Sequence, residues 1–563
     1  MKISNERLYL AVACVIAVVV ILPIAFLGIP EATDIPQHFK FAQIFYDSLM
    51  TGDGFPNWAG KENLGYGDVG IRFYPPLEYY FLAILKMLAG NWYDATWLSF
   101  MFWMVLGCAG VYLWTKCWLS TKESALAACF YALIPSHLNQ LYQLYNGYAE
   151  FAATSLLTLC FAFVTRVFQR NKVSDLFGLS FCFALLILTH LPLTIIGSVC
   201  LFVYALTLLR KNNVVQPLIK CALAVGVSLS ASAFYWVGMI SEMSWLNHTS
   251  ERYFSGHFGF DENFFPLYFH VNTRQESVWS IDLASLLTFL ILTSAVIYFL
   301  YKKSNKVDNL QPKNIYQTVL PLGLFAFFMT TPLSRPLWQF FTPLQKVQLP
   351  MRWMPIASMC GAIIAASSVH YLLKGKFLKK RVWSYSCLIF ISLIGFYNLI
   401  YNFHPTSFVP YSREKFENTL SELPEQQSFV CWWAIWSKPD AFKVKEKVVD
   451  DNRQTQIISW EDEKRVFDVS AGKDATVRVA TFYYPLWQSR VNGKQVEVGK
   501  DENGAILIPI GSEESRVELY FQESSAVKLA SMLSLLTWLL FGTIAIFMKL
   551  KSRFSLKNNL KSI

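Results

Sequence analysis

Long apolar runs recur along most of the chain and are separated by short polar segments. A helix needs about 20 apolar residues to cross the core of a bilayer. Twelve runs approach or reach this length: 8–28, 94–115, 123–138, 148–168, 174–190, 191–209, 215–239, 279–301, 315–331, 353–373, 382–400 and 527–548. Another run, 76–90, has only about 15 residues and contains Glu78 and Lys86, which favours a short or re-entrant helix. The pattern predicts a mainly α-helical, polytopic membrane bundle.

The pattern changes after residue 400. Short runs now mix β-branched and aromatic residues, as strands do, and they lie at 466–469, 475–482, 505–510 and 516–521. Turn signals separate them: Asn492-Gly493, Asn503-Gly504 and Gly511-Ser512. We therefore expect three domains: a transmembrane module 1–400 with a first outer loop 30–75, a small extracytoplasmic β-rich domain 401–526, and an anchoring helix with a basic tail, 527–563.

Composition and charge agree with a membrane protein. Of 563 residues, 54% are hydrophobic and 16% are charged, whereas a soluble domain carries about 25% charged residues. If the N-terminus is cytoplasmic and 76–90 does not cross, every basic connector lies inside, as the positive-inside rule requires. The net charge of +10 then reflects orientation in the cytoplasmic membrane, with both termini inside, and no nucleic-acid partner is expected. Eleven cysteines without a CxxC pair support neither a disulfide framework nor a zinc site.

Polar chemistry is concentrated at the outer side of the predicted spans. Charged residues are nearly absent from the span centres, which counts against a proton-coupled transporter. In the first outer loop, Asp34 and His38 are four residues apart and share one face of a helix. Asp34 with Gln37 also matches a capping box, so a capping role is an equal alternative. His38 has the alternative of a purely structural hydrogen bond.

Five further outer positions are candidates for substrate contact. Arg72, Tyr74 and Glu78 lie in a Tyr- and Pro-rich stretch, which is also typical of an interfacial aromatic belt. Glu150 opens one span, where it alternatively complements the helix N-terminus. His190 lies in an outer hairpin, where the alternative is a capped turn.

An arginine at the outer end of a span departs from the positive-inside tendency. Arg352 occupies such a position, four residues after Gln348. A guanidinium beside the lipid suits a phosphate, because it donates two parallel hydrogen bonds to one anion. The alternative is a side chain that only anchors the helix at the interface.

Taken in order, these motifs resemble a bacterial family called 6-pyruvoyl-tetrahydropterin synthase-related membrane proteins, although nothing here resembles a pterin enzyme. The motifs are Asp34…His38, Gly65-Tyr66-Gly67, Phe73-Tyr74-Pro75-Pro76-Leu77, Tyr148-Ala149-Glu150, His190-Leu191-Pro192, Ala233-Phe234-Tyr235-Trp236 and Gln348-Leu349-Pro350-Met351-Arg352. The family is similar in layout to GT-C-type glycosyltransferases. Two motifs depart from its pattern: Asn146 stands where an arginine is common, and Leu349 and Met351 stand where the other motif has Phe and Trp.

The resemblance implies a sugar donor linked to polyprenyl phosphate and a catalytic carboxylate in the first outer loop. Asp34 matches that carboxylate, with His38 as its companion, and Arg72 and Arg352 are the candidates for the phosphate. Tyr74, Glu78, Glu150, His190 and Gln348 complete the expected substrate-binding set. The acceptor would be a cell-envelope glycan, a lipid or a protein. A divalent metal on Asp34, His38 and His190 is possible, although no DxD pair occurs in the loop.

Two other functions stay open from the sequence. One is a non-enzymatic transporter or flippase of lipid-linked glycans, which needs a polar path across the membrane. The other is an envelope-assembly scaffold whose β-rich domain binds glycans through Trp432, Trp433 and Trp487.

Overall fold

The computed structural model describes residues 5–31, 35–142, 147–209, 215–249, 259–266, 276–304, 313–374, 410–423, 427–450, 453–473 and 475–561. Most of these residues are helical. The helices are α1 Asn5–Leu27, α2 Ile35–Thr51, α3 Leu77–Ala89, α4 Trp92–Thr115, α5 Thr121–Leu133, α6 Pro135–Tyr142, α7 Gly147–Arg170, α8 Val173–Ile187, α9 Leu191–Leu208, α10 Val215–Ala231, α11 Ala233–Glu242, α12 Glu276–Ser304, α13 Lys313–Met329, α14 Arg335–Phe340, α15 Thr342–Gln345, α16 Met354–Lys374, α17 Arg413–Glu422 and α18 Ser525–Lys561.

The described residues form two compact units that do not follow chain order. One unit comprises 1–35, 84–229 and 254–416, and the other comprises 36–83, 230–253 and 417–563. We call them the helical unit and the mixed unit. The first outer loop therefore groups with the C-terminal β strands, which the linear domain prediction did not anticipate.

Close packing in the helical unit depends on small residues. Helix α4 packs against α7 at Gly107 and Gly110, where a Cβ on Gly110 would lie 1.8 Å from Oγ1 of Thr158. Small residues let two helix backbones approach closely. In a membrane such packing contacts drive helix association, because the lipid tails are as apolar as the helices.

One predicted span is interrupted in the helical unit. The apolar run 123–138 is divided between α5, which ends at Leu133, and α6, which begins at Pro135, with Ile134 extended between them. Proline disfavours helical geometry in the residue before it and supplies no backbone N–H. The prediction of one continuous helix here is therefore wrong.

The expected number of spans is matched only in part by the described residues. Five of their helices are long and apolar enough to cross a membrane, and the number rises to seven if each of two bent pairs is one span. The run 382–400 lies outside the described residues, and α8 has only 15 residues. Twelve spans stay a prediction. The short run 76–90 forms α3, a helix of 13 residues.

The mixed unit contains two antiparallel sheets. The strands are β1 Ile29–Pro30, β2 Pro410–Tyr411, β3 Val448–Val449, β4 Thr455–Trp460, β5 Lys464–Val469, β6 Ala475–Phe482, β7 Trp487–Val491, β8 Lys494–Val496, β9 Gly499–Lys500, β10 Ala505–Ile510 and β11 Ser515–Phe521. One of the two sheets has the order β3–β6–β10–β9 and the other β4–β5–β11–β7–β8. A separate two-stranded pair, β1 with β2, belongs to the helical unit. All four strands expected from the sequence are confirmed within two residues.

The core of the mixed unit includes side chains from the first outer loop. Trp58 packs edge-on to Trp487 with ring centroids 5.4 Å apart, and Tyr66 contacts Phe482 at 5.3 Å. Gly67 has a φ of +83°, and a Cβ there would collide with the Trp58 indole. Only glycine meets both demands without strain. The loop is thus an integral part of the β core.

Candidate active site

The helical unit brings together two of the predicted substrate-binding residues. Glu150 lies in the first turn of α7 and is fully buried, and Arg352 lies in a short 3₁₀ turn at Pro350–Trp353. Nε of Arg352 is 3.3 Å from Oε2 of Glu150. These residues are far apart in sequence, and the ion pair between them is a contact that the sequence pattern did not predict.

Two further groups hold this ion pair in place. Nε2 of Gln140 donates a 3.0 Å hydrogen bond to Oε1 of Glu150. Nη1 of Arg352 donates a 2.6 Å hydrogen bond to the carbonyl of Val347. The backbone between Val347 and Arg352 turns at Gln348, whose φ is +68°. The result is a guanidinium held at two of its three nitrogens, Nε and Nη1.

The third nitrogen of the guanidinium, Nη2, keeps hydrogen-bonding capacity. Among the described residues, Nη2 of Arg352 makes no hydrogen bond or ion pair, and the side chain is 14% exposed. A guanidinium carries five N–H donors. Arg352 is therefore oriented by protein groups and can still donate to an anion.

His190 and Gln348 have local roles in the structure. Nδ1 of His190 accepts a 3.3 Å hydrogen bond from the backbone N–H of Leu193, so the side chain caps α9. This is the capped turn that the sequence offered as the alternative. The backbone of Gln348 adopts the left-handed conformation, four residues before Arg352. Direct substrate contact by either side chain stays a prediction.

Arg72, the second candidate for the phosphate, lies in the mixed unit and is already saturated. Its Nε and Nη2 donate to Glu242 at 2.9 and 2.6 Å. Its Nη2 also donates to Glu523 at 3.2 Å, and Nη1 donates both to Glu523 and, at 3.0 Å, to Asn57. These contacts use all five N–H donors. A phosphate could bind here only after displacing a carboxylate.

The electrostatics of Arg72 are those of a buried structural ion cluster. Burial alone would lower the pKa of Arg72, but its hydrogen bonds to Glu242 and Glu523 outweigh burial and raise the pKa. The hydroxyl of Tyr484 donates to Glu242 at 2.7 Å and adds to the satisfaction of that carboxylate. The geometry favours an organising role for Arg72.

His38 and Tyr74 belong to an aromatic cluster near the start of α2. Nδ1 of His38 and the hydroxyl of Tyr79 share a 2.9 Å hydrogen bond. Tyr74 lies edge-on to His38 at 5.4 Å and to Trp432 at 5.8 Å. Glu78, in the first turn of α3, is buried. Asp34 lies outside the described residues, directly before α2 in the sequence.

The structure adds buried charges to the first outer loop that the sequence analysis missed. Nζ of Lys40 is 2.8 Å from Oε2 of Glu62, and both side chains are buried. Burial raises the pKa of Glu62 to about 7, although Lys40 opposes the shift. Burial likewise raises the pKa of Asp68 to about 6, against a hydrogen bond from Ser428. No local sequence signal separates these residues from solvated loop charges.

The tryptophans assigned to glycan contact in the scaffold hypothesis are mostly internal. Trp433 and Trp487 are each 1% exposed and belong to the core of the mixed unit. Their role as exposed contacts is therefore wrong, while Trp432 is partly buried. The described residues also contain no group of three or more His, Cys, Asp or Glu side chains arranged to hold a metal ion.

Comparison with known proteins identifies a family. The model of the 6-pyruvoyl-tetrahydropterin synthase related domain, described as a membrane protein, matches residues 71–403, which is more than half of the chain. The resemblance seen in the motifs is thereby confirmed. No curated protein matches the chain.

Solved structures with similar folds are distant in sequence. ArnT from Cupriavidus metallidurans bound to undecaprenyl phosphate is 13% identical over 76% of this chain and 78% of its own, with a TM-score of 0.39. The Archaeoglobus fulgidus oligosaccharyltransferase tethered to an acceptor peptide is 11% identical over 77% and 60%, with a TM-score of 0.45. Arabinosyltransferase EmbB from Mycobacterium smegmatis is 10% identical over 91% and 63%, with a TM-score of 0.38. The chain spans less than two thirds of the latter two.

Proposed function

The chain belongs to the 6-pyruvoyl-tetrahydropterin synthase related family of membrane proteins, and from this premise we propose that it is a membrane glycosyltransferase. It transfers a sugar from a polyprenyl-phosphate-linked donor to a cell-envelope glycan, lipid or protein. The reaction takes place at the outer face of the cytoplasmic membrane.

The arrangement of Arg352 is the observation that carries this proposal. Of the two arginines expected to bind phosphate, Arg72 has no free donor, whereas Arg352 has an unpaired Nη2 and a fixed orientation. A preorganised cation stabilises charge that develops on a leaving group without reorganising during the reaction. Arg352 therefore supports departure of a lipid phosphate.

The proposed reaction is a single displacement at the anomeric carbon. The acceptor oxygen forms a bond to that carbon while the bond from the carbon to the phosphate oxygen breaks. The electron pair stays on the phosphate, beside Arg352, and the acceptor proton passes to the carboxylate of Asp34 acting as general base. His38, Tyr74 and Glu78 are proposed to shape the surface near the start of α2.

Transfer of radiolabel from polyprenyl-phosphate sugars by the full-length protein in nanodiscs tests the proposal. We expect wild type to release label from the donor, Asp34→Asn to abolish release, and Arg352→Gln to lower kcat/KM by about 100-fold, the usual loss for one oriented charge donor. Arg335→Gln is the matched control, because Arg335 is 46% exposed and, among the described residues, forms its ion pair with the exposed Asp261.

The outcome separates enzymes from binding proteins. Label release by wild type that Arg335→Gln preserves and Arg352→Gln loses supports the transferase. No release from any donor by wild type, despite saturable binding of the lipid, would reject it in favour of a transporter or scaffold.

A further inference from the structure

Helix α6 is an unusual feature of the helical unit. All eight of its residues are buried, and half of them are polar: Ser136, His137, Asn139 and Gln140. A buried polar group without a hydrogen bond lowers stability, because it has lost its contacts with water and gained none in return. Polar side chains inside a membrane bundle are accordingly rare and usually functional.

Three of these polar residues line a cavity of about 30 Å³. They are Ser136, Asn139 and Gln140, and Ser285 of α12 faces them. Oγ of Ser136 and Oε1 of Gln140 are buried and have no hydrogen-bond partner among the described residues. Two residues with unsatisfied polar atoms therefore line the same small space.

The cavity is connected to the proposed phosphate site through one side chain. Nε2 of Gln140 donates a hydrogen bond to Glu150, which pairs with Arg352. Oε1 of the same amide has no hydrogen-bond partner among the described residues, and Gln140 also lines the cavity. Met351 and Met354, the neighbours of Arg352 along the chain, also line it. A ligand whose anionic end meets Arg352 would have its adjoining portion next to this cavity.

We propose that the cavity binds hydroxyl groups of the sugar carried by the lipid-phosphate donor, and that this sugar is uncharged. The inference rests on the proposed function. A water-sized group needs about 10–15 Å³ of such space, so the cavity accommodates about two hydroxyls while the rest of the ring stays outside. Ser136 can donate or accept a hydrogen bond, and Oε1 of Gln140 accepts one.

The absence of charge in the cavity wall sets the class of sugar. The described residues that line it carry hydroxyls, amides and apolar groups, and none of these residues has an ionisable side chain. A carboxylate or ammonium on the sugar would be desolvated there without a counter-ion, which is far more costly than burying a hydroxyl. A neutral hexose or pentose satisfies the two free polar atoms without that cost.

Binding to the full-length protein in nanodiscs tests the inference, with bare polyprenyl phosphate and its neutral hexose derivative as the two probes. We expect Ser136→Ala to weaken binding of the hexose lipid about tenfold and to leave bare-lipid binding unchanged. Ala284→Val, which fills the cavity from α12, should have the same selective effect. Arg352→Gln should weaken both lipids. Ser180→Ala is the control, because Ser180 is buried but lies away from the cavity.

A third probe, a lipid carrying an anionic sugar of the same size, tests the charge preference. It should bind wild type at least tenfold more weakly than the hexose lipid. Equal binding of the two would overturn the preference for a neutral sugar. The cavity would be rejected as a sugar site by either of two results. In one, Ser136→Ala and Ala284→Val weaken binding of the bare lipid and of the hexose lipid equally. In the other, they weaken binding of neither lipid.

The inference and the proposed function fail in different ways. If wild type transfers label but the cavity variants bind both lipids like wild type, the transferase stands and the sugar site is wrong. If wild type transfers no label but shows the selective binding losses, the sugar site stands and the transferase is wrong. If wild type binds neither lipid, both are wrong.

Discussion

The two arginines assigned to phosphate from the sequence should differ in how their substitution affects binding of the lipid phosphate. Arg72→Gln should destabilise the protein, because it leaves the buried carboxylates of Glu242 and Glu523 without their counter-ion. Arg352→Gln should also lower stability, since it leaves the buried carboxylate of Glu150 without its counter-ion, but it alone should remove affinity for the lipid phosphate. The difference follows from the number of free N–H donors on each guanidinium.

The magnitude for Arg72 follows from its burial and its contacts. The side chain is 5% exposed, and its partners Glu242 and Glu523 are 3% and 16% exposed. Removing one partner of a buried ion pair typically costs about 3–5 kcal/mol, since the charge left behind is not hydrated. For a domain of 150–250 residues, 1 kcal/mol shifts Tm by about 2–4 °C. We therefore expect a loss of about 10 °C.

Tryptophan fluorescence during thermal unfolding in nanodiscs is the appropriate assay, because Trp58, Trp433 and Trp487 lie in the core of the mixed unit. Adding Glu523→Gln to Arg72→Gln should restore part of the loss, since it removes one uncompensated charge. A double-mutant coupling of about 1–3 kcal/mol is expected for groups in direct contact. An Arg72→Gln protein that keeps the wild-type Tm but loses lipid-phosphate binding would refute the reasoning.

Three further outcomes are expected. Burial raises the pKa of Glu62 to about 7, so the folded protein binds the Glu62 proton more tightly than the unfolded chain does, and Tm should fall as pH rises from about 4.5 to 7. Glu62→Gln removes this titration and should flatten the dependence of Tm on pH. An unchanged slope in Glu62→Gln would contradict the prediction. Gly110→Ala should lower the free energy of unfolding by about 1–3 kcal/mol, because the new Cβ collides with Thr158. Gly542→Ala is the control and should have little effect, because Gly542 has open space around it. Equal Tm values for the two variants would contradict the close packing at Gly110. Trp433→Ala should lower the free energy of unfolding by about 3–5 kcal/mol, because it leaves a cavity in the core. A variant with the wild-type Tm and weaker glycan binding would show that Trp433 is a glycan contact and not a core residue.

The sequence by itself determined the class of the protein and most of its local structure. The length of the apolar runs predicted helices. Short runs of β-branched and aromatic residues separated by turn residues predicted β5, β6, β10 and β11. Both signals depend on residues that are neighbours in the chain. The order of motifs also identified the family. Two predicted runs are exceptions: 123–138 is broken between α5 and α6, where a proline overrides an apolar run, and 215–239 is divided between α10, which ends at Ala231, and α11, which begins at Ala233.

Only the tertiary structure decided which polar residues act together. Arg72 meets Glu242 across 170 positions and Glu523 across 451, and a long-range pairing of this kind leaves no trace in local spacing. Ser136 belonged to the predicted apolar run 123–138 and Gln140 to the connector after it, and only the fold placed both at one cavity, with Gln140 bonded to Glu150. The chemistry of a buried charge depends on the donors and acceptors that surround it in space, and the chain order does not specify those neighbours.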